Sequence, residues 1–214
     1  MNMIALKTAY NELKELSAAG IAYPADGAFF LIQTCKNLFI GHKIDKILNT
    51  WIADFHFPVE ENKTLQKDYA DSLEWEGPFV FVINNQKIFI NFSAPEHYEI
   101  GINSQNITEI IDISSKNIVE LKKYTDKGKF VDISFLYDDF MKQKIKDIHA
   151  IIDKRNKIAG LAAILFELQN SVCFVVSEEI DNPKIRVYAN KKDALTAIDK
   201  QKEQNCKFYT KPSR

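Results

Sequence analysis

The sequence predicts an α+β fold in which two related units, each a helix followed by an antiparallel β-meander, pack into one compact molecule. Three observations lead to this prediction. Apolar residues recur at both helical and strand spacing, the strand pattern occurs twice in the same order, and the 214 residues include 15 Phe but only 7 Gly. An aromatic-rich, Gly-poor chain of this length favours packed strands and helices over long flexible loops.

The first unit is predicted to open with an amphipathic helix over 3–18, where apolar residues recur at helical spacing. After it, Pro24 fixes one backbone dihedral and the Asp26-Gly27 pair favours a tight reversal, so 22–27 is predicted to be a turn.

The clearest strand pattern lies in the middle of the chain and recurs near its C-terminal end. Three strands separated by polar turns form each predicted meander. The first meander comprises 79–83, 87–92 and 97–102, and the second comprises 162–168, 172–176 and 184–188. The offsets agree, since Ile88 precedes Val172 by 84 positions and Ile100 precedes Ile185 by 85.

A second similarity lies upstream of each meander. Residues 39–47 and 140–148 share the pattern F-h-x-x-K-I-x-x-I at an offset of 101, where h is any apolar residue. The larger offset requires additional residues in the first copy, and the acidic stretch 58–77 can contain them. The sequence therefore predicts units over 1–125, with an acidic insertion near 58–77, and over 126–214. Chance similarity between short apolar hairpins is the alternative.

The secondary structure of several segments is open or rests on capping signals. Residues 43–51 suit a helix through their apolar spacing, whereas 144–152 alternate like a strand. Helices are predicted over 114–124, after a serine cap, and over 191–204 at the end of the second unit. A helix through Leu65, Tyr69 and Leu73 is a further interpretation of the acidic stretch.

Several classes of protein are disfavoured by missing motifs. The chain has no Gly-rich phosphate loop and no GxSxG motif, so a nucleotide-dependent enzyme or a serine hydrolase is not indicated. Its three cysteines, Cys35, Cys173 and Cys206, form no CxxC motif and suggest free thiols in a reducing compartment. The longest apolar runs are too short to span a membrane. We expect a cytoplasmic protein with no cofactor and no membrane association.

Charge is distributed unevenly along the chain although the net charge is −1. Residues 54–120 contain 12 acidic residues and four lysines, whereas residues 122–214 contain 19 basic and 13 acidic residues. Such asymmetry can steer a partner of opposite charge, although folding can also mix these charges on the surface. The basic half interleaves lysine with acidic residues, so nucleic-acid binding is disfavoured.

The acidic segment is the predicted binding site for a basic protein. Its carboxylates would steer the partner and its aromatic residues would supply contact area. The protein would then be a non-enzymatic inhibitor, of which a bacterial immunity protein against a nuclease toxin is one example. The predicted partner-binding residues are Asp54, Phe55, Phe57, Glu60, Glu61, Asp68, Tyr69, Asp71, Glu74, Trp75 and Glu76.

Histidines suggest the alternative, an enzyme or small-ligand protein with an irregular site in a cleft between the two units. Two histidines occur in Asp-x-His pairs, Asp54 with His56 and Asp147 with His149, and carboxylate plus imidazole can bind a divalent ion. Such pairs also arise by chance, and a structural role is favoured for both. No metal-binding or catalytic residue is therefore assigned from the sequence, and the oligomeric state is left open.

Overall fold

The computed structural model describes residues 25–49, 51–55, 73–76, 78–94, 97–102, 107, 109–112, 114, 130–153, 160–179 and 182–209. Its helices are α1 (Ala25–Phe39), α2 (Asp138–Met141) and α3 (Lys191–Tyr209), with a 3-10 turn at Ser134–Leu136. Its strands are β1 (Lys46–Asn49), β2 (Trp51–Phe55), β3 (Leu73–Glu76), β4 (Phe79–Ile83), β5 (Gln86–Ala94), β6 (His97–Ile102), β7 (Ile110–Asp112), β8 (Phe130–Asp132), β9 (Ile145–Asp153), β10 (Gly160–Leu168), β11 (Cys173–Glu179) and β12 (Asn182–Tyr188). The predicted α+β class is confirmed.

Two large sheets organise the described strands. The first has six strands in the order β6-β5-β4-β1-β8-β7, antiparallel except for the parallel pair β7 and β8. The second has four antiparallel strands in the order β12-β11-β10-β9. A short ladder of β2 and β3 continues the β1–β4 pairing beyond Asn49. Both predicted meanders, β4-β5-β6 and β10-β11-β12, are present.

The two sheets share the same strand order over four strands, β1-β4-β5-β6 and β9-β10-β11-β12. In the first sheet Ile47 lies opposite Phe81, and in the second Ile148 lies opposite Phe166. The next pairs depart from the sequence offset, because Phe81 faces Ile88 whereas Phe166 faces Phe174, not the Val172 that the offset of 84 aligns with Ile88. Strand β8 departs from the predicted division at 125/126, since it follows this boundary in sequence but pairs with β1.

The main core lies between the two sheets and is rich in phenylalanine. Phe81 of the first sheet lies 6.2 Å from Phe166 and 6.3 Å from Phe174 of the second, measured between ring centroids. Phe166 and Phe174 stack in parallel at 4.4 Å. Phe39 at the end of α1 meets Phe166 edge-on at 5.2 Å, so α1 closes the same core. The abundance of phenylalanine in the sequence therefore reflects this inter-sheet layer.

The outer face of each sheet has its own smaller core. On the first sheet, Leu48, Val80, Phe89 and Phe130 are buried together with Ile107. On the second sheet, α3 packs against β10, β11 and β12. Ala194 and Ile198 of α3 are buried in this contact, with Ala163, Leu165, Cys173 and Val175 of the sheet.

Helix α1 corrects the predicted turn at 22–27. The helix begins at Ala25 and contains Asp26 and Gly27, so the reversal predicted for that pair is wrong. Pro24 is well placed to precede a helix because its fixed dihedral suits a helical start. The apolar residues that follow recur at helical spacing and are buried in the inter-sheet core: Leu31, Ile32, Cys35, Leu38 and Phe39. Their burial outweighs the helical cost of one glycine.

Burial also explains the secondary structure of the other segments for which the sequence was ambiguous. Residues 46–49 and 51–55 are strands rather than a helix, and 145–153 is a strand. Strand β1 is buried on both faces, with Ile47 in the inter-sheet core and Leu48 in the outer core, and this removes the polar alternation that identifies a half-buried strand. Leu73 begins β3, so a helix that includes Leu73 is wrong.

The remaining helix predictions have different outcomes. The helix predicted over 191–204 is confirmed as α3, which extends to Tyr209. The helix predicted over 3–18 and most of that predicted over 114–124 lie outside the described residues. None of the described helices is both long enough and apolar enough to cross a membrane.

Candidate functional site

The β2–β3 ladder brings together the two ends of the predicted acidic binding segment. Asp54 lies directly opposite Glu74, and Trp51 lies opposite Glu76. Ile52 pairs with Trp75 and Phe55 with Leu73, with a register shift between Ile52 and Asp54. The fold therefore places five predicted site residues on one ladder: Asp54, Phe55, Glu74, Trp75 and Glu76.

The register also assigns these residues to the two faces of the ladder. Successive positions of a strand alternate between its faces, and opposed positions share a face. Positions 74 and 76 therefore lie on one face with position 54, and all three are acidic. Positions 73 and 75 lie on the other face, where both residues are apolar. Trp51, opposite Glu76, shares the face of the three acidic positions, so the ladder is a short ribbon with one face that is acidic apart from Trp51 and one that is apolar.

The centre of the acidic segment is outside the described residues. Six predicted site residues belong to it: Phe57, Glu60, Glu61, Asp68, Tyr69 and Asp71. The ladder itself lies beside the second sheet, since β3 contacts β12. Strand β12 carries two basic residues, the buried Lys184 and the half-buried Arg186.

The histidines with described side chains make separate contacts. His42 is exposed, and its Nδ1 lies 3.1 Å from the side-chain nitrogen of Asn84 in the β4–β5 turn. His149 belongs to a polar group on the outer face of the second sheet. This group, the His149 cluster, comprises Lys36, Lys146, Asp147, His149, Glu167 and Lys191. His56 lies outside the described residues, and His97 begins β6.

Opposed positions on β9 and β10 create the His149 cluster. Asp147 lies opposite Glu167 in the register, and His149 follows two residues after Asp147 on the same face. The Nε2 atom of His149 lies 3.4 Å from a Glu167 carboxylate oxygen and 3.6 Å from one of Asp147. Lys191, the first residue of α3, places its Nζ 3.2 and 3.3 Å from the two ring nitrogens.

Two lysines pair with the carboxylates of this cluster. Lys146 Nζ donates to Glu167 at 2.6 Å, and Lys36 Nζ of α1 lies 2.7 Å from Asp147. The hydrogen bond from Lys146 is the main reason that the pKa of Glu167 lies below its ordinary value, and it outweighs the opposing effect of burial. The same hydrogen bond and the charge of Glu167 raise the pKa of Lys146.

Asp147 is also held in its charged form. Burial alone would raise its pKa, but hydrogen bonds from Lys36 and from the backbone N–H of Ile148, together with nearby positive charge, lower the pKa overall. The bond from Ile148 occupies a backbone donor of β9, the terminal strand of its sheet. Asp147 therefore links α1 to this strand.

The cysteines with described side chains do not resemble activated nucleophiles. Cys35 and Cys173 are both free and buried. Burial raises the pKa of Cys35 well above its ordinary value. Burial and the neighbouring charge of Glu167 raise the pKa of Cys173. A nucleophilic thiol needs the opposite shift, so these two residues act as small apolar side chains in the core.

Sequence reasoning identified Asp147 and His149 but missed the other members of the His149 cluster. Glu167 and Lys191 lie far from His149 in sequence, and their approach depends on the β9–β10 register and the docking of α3. An acidic residue inside the apolar run 161–168 was the available signal. Within the described residues, no group of three or more His, Cys, Asp or Glu side chains could hold a metal ion.

The fold and its two polar regions define an α+β protein with paired β-meanders, an acidic ribbon and a mixed-charge cluster. Comparisons of the chain with protein-family models, with curated proteins and with solved structures gave no match.

Proposed function

We propose that this is a non-enzymatic binding protein whose acidic segment docks a basic protein partner. The observation that carries the proposal is the register of the β2–β3 ladder, in which Asp54 lies opposite Glu74 and Glu76 follows on the same face. Like charges directly opposed on a two-stranded ladder are destabilising. Lysine or arginine side chains of a partner would relieve this repulsion, so binding would stabilise the ladder.

The rest of the acidic segment would extend the same surface. The 17 residues from 56 to 72 connect the two strands of the ladder and contain Glu60, Glu61, Asp68 and Asp71. Phe57 and Tyr69 in this connection would supply aromatic contacts of the kind that dominate protein interfaces. Phe55 and Trp75 lie on the ladder face opposite the acidic positions, so their contacts would come from that other face. Acidic residues would raise the rate of encounter with a basic partner, and aromatic residues would slow dissociation.

An inhibitor is the kind of binding protein that these features support best. The proposed protein would act in the cytoplasm and neutralise a basic toxin by covering its charged surface, as an immunity protein does. The acidic ribbon supplies charge complementary to an enzyme that binds nucleic acid, because such enzymes carry basic surfaces.

The test is to capture partners from the native lysate with three tagged proteins at low and at moderate salt. The proteins are the unaltered chain, a ladder variant and a charge-matched control. The ladder variant carries Asp54→Asn, Glu74→Gln and Glu76→Gln, and the control carries Glu109→Gln, Asp139→Asn and Asp199→Asn at exposed positions. Both variants change the net charge by the same amount.

We expect the unaltered chain and the control to capture a basic protein in stoichiometric amount at low salt. Both should release it as the salt concentration rises. The ladder variant should bind it about tenfold more weakly or worse, as expected for charged pairs at an interface. Charge reversal at Glu60, Glu61, Asp68 and Asp71 should weaken binding further without unfolding the protein. Equal capture by the ladder variant and the control would exclude the acidic ladder as the docking surface.

The alternative function, an enzyme or small-ligand protein, is favoured by one observation, the His149 cluster. This cluster combines an imidazole, two carboxylates and three lysines. It lies on the outer face of the second sheet beside α3, whereas the alternative envisaged a cleft between the two units. A ligand that binds the unaltered protein without any protein partner would support this alternative.

We further propose that the two units arose by internal duplication, with the acidic segment inserted in the first. The equal order of strands β1-β4-β5-β6 and β9-β10-β11-β12 and the matching pairs Ile47–Phe81 and Ile148–Phe166 support this proposal. The connection between β9 and β10 has only six residues, 154–159, where the corresponding connection in the first unit has 17.

A further inference from the structure

The β1–β4 pair of the first sheet can be compared, position by position, with the β9–β10 pair of the second. When their registers are superposed, Leu48 opposite Val80 corresponds to His149 opposite Leu165. One pair further along, Val82 corresponds to Glu167. The first sheet therefore fills with Leu and Val the two positions that hold an imidazole and a carboxylate in the second. The fold itself does not require polar residues at these positions.

The His149 cluster contains three lysines but only two carboxylates, so positive charge is in excess. Lys36 and Lys146 already pair with the two carboxylates, at 2.7 and 2.6 Å. Lys191 is the third lysine, and it forms no ion pair with the described residues. The residue is half-buried, and among the described residues the hydrogen-bond contacts of its Nζ are with the ring nitrogens of His149. A partly desolvated ammonium beside an imidazole leaves one positive charge without a counter-charge.

We propose that Lys191 and His149 form a binding site for a phosphate group. Lys191 would donate to the phosphate oxygens as a compact cation, and His149, whose two ring nitrogens both lie within 3.3 Å of the Lys191 Nζ, would donate through a ring N–H. The Nε2 atom of His149 lies 3.4 Å from a Glu167 carboxylate oxygen, and this contact orients the imidazole ring beside Lys191. Glu167 and Asp147 stay paired with their own lysines, which limits their repulsion of the anion.

Two backbone N–H groups at the start of α3 already have partners in Asn190. The side chain of Asn190 already accepts the N–H of Asp193 at 3.0 Å, and its carbonyl accepts that of Ala194 at 3.2 Å. We assign the affinity to the side chains of Lys191 and His149. Lys146 is 56% exposed and stands at the rim, where it can contact a larger phosphate ester. This proposal is independent of the acidic ladder, which lies on different strands.

The test is titration of the full-length protein with inorganic phosphate and with phenyl phosphate, followed by NMR of backbone amides and by calorimetry. Ionic strength is held constant with chloride, and acetate is titrated in parallel. Three variants are compared with the unaltered chain: Lys191→Met, His149→Leu and the neighbouring control Lys192→Met. Lys192 is exposed and lies one residue along α3.

We expect saturable binding of both phosphates, with shifts centred on β9, β10 and the first turn of α3. Lys191→Met and His149→Leu should each weaken binding about tenfold or more, as expected for lost hydrogen bonds to a charged group. Lys192→Met should retain the affinity of the unaltered chain. Linear shifts that do not saturate, equal shifts with acetate, or equal losses in the Lys191 and Lys192 variants would overturn the proposal.

Discussion

At the scale of single residues, Glu167 is the side chain whose charge is best defined. Its carboxylate accepts Lys146 and contacts His149, and only 17% of the side chain is exposed. The residue at the corresponding position of the first sheet is Val82, which packs against the apolar outer core of that sheet. A charged group in such a position contributes to stability only while its partners keep it ionised.

Glu167→Gln should therefore lower the free energy of unfolding near neutral pH, and this destabilisation should disappear in acid. The pKa of Glu167 is lower in the folded protein than its ordinary value of 4.5, so the ionised carboxylate favours the folded state. This contribution is complete above the unfolded-state value and disappears as pH falls through the folded-state value. Because Lys146 is exposed, the loss near pH 7 should be below about 1 kcal/mol.

Urea unfolding of both proteins, followed between about pH 7 and pH 3, measures this effect. The difference in free energy of unfolding should be largest at the neutral end and shrink towards the acidic end. A difference that stays constant with pH would mean that the carboxylate charge contributes nothing, and that any destabilisation comes from packing of the amide.

At the scale of secondary-structure elements, the second sheet and α3 are expected to tolerate an apolar version of the His149 cluster. The double variant His149→Leu with Glu167→Val copies the residues at the corresponding positions of β1 and β4, Leu48 and Val82. Replacing buried polar partners together by apolar residues is often neutral or stabilising, and Lys146, which loses Glu167, is 56% exposed and can be hydrated. The free energy of unfolding should stay within about 1 kcal/mol of the unaltered value or increase.

Thermal and urea unfolding of the double variant, beside the single variant Glu167→Gln, provide the measurement. A large loss of stability in the double variant would show that the polar cluster holds α3 on the sheet. Such a loss would mean that the polar residues have a structural role, and it would remove one argument for a ligand site.

The elements that sequence reasoning predicted are those with strong local signals. Strands β4, β5 and β6 and helix α3 have clear spacing and polar turns, and Asn84 and Asn85 adopt the positive φ angles, 48° and 63°, that suit the first meander's tight turn. Helix α1 and strand β1 were harder, because Asp26-Gly27 resembles a turn and β1 is apolar on both faces. Their structure depends on burial between sheets, which local patterns do not reveal.

The candidate sites follow the same rule. The acidic segment is visible in the sequence as a run of charge, whereas its register, with Asp54 opposite Glu74, depends on pairing across an intervening 17-residue connection. The contact of His149 with Lys191 joins residues 42 positions apart through the docking of a helix. Contacts of this kind require the fold before the site can be recognised.

At the scale of the whole molecule, the inter-sheet core joins both meanders. Phe81 comes from the first sheet and contacts Phe166 and Phe174 of the second, and α1 contributes Phe39 to the same aromatic group. Duplicated units with separate cores could unfold independently, but a shared core makes each unit depend on the other.

We therefore expect one cooperative unfolding transition, in which far-UV circular dichroism and tryptophan fluorescence change together. The only two tryptophans, Trp51 and Trp75, report on the β2–β3 ladder, whereas circular dichroism reports on both large sheets. Phe81→Ala removes a fully buried ring and should lower the free energy of unfolding by about 3–5 kcal/mol in both signals.

Val187→Ala is the matched control, because Val187 lies on β12 and is 49% exposed. This change should cost less than about 0.5 kcal/mol. If Phe81→Ala shifts the fluorescence transition but divides the dichroism into two transitions, one of them unshifted, the two units are energetically separate in spite of their aromatic contacts. Coincident shifts would instead mean that the acidic ladder is supported by the core of both sheets, so that a partner bound to the ladder would stabilise the entire molecule.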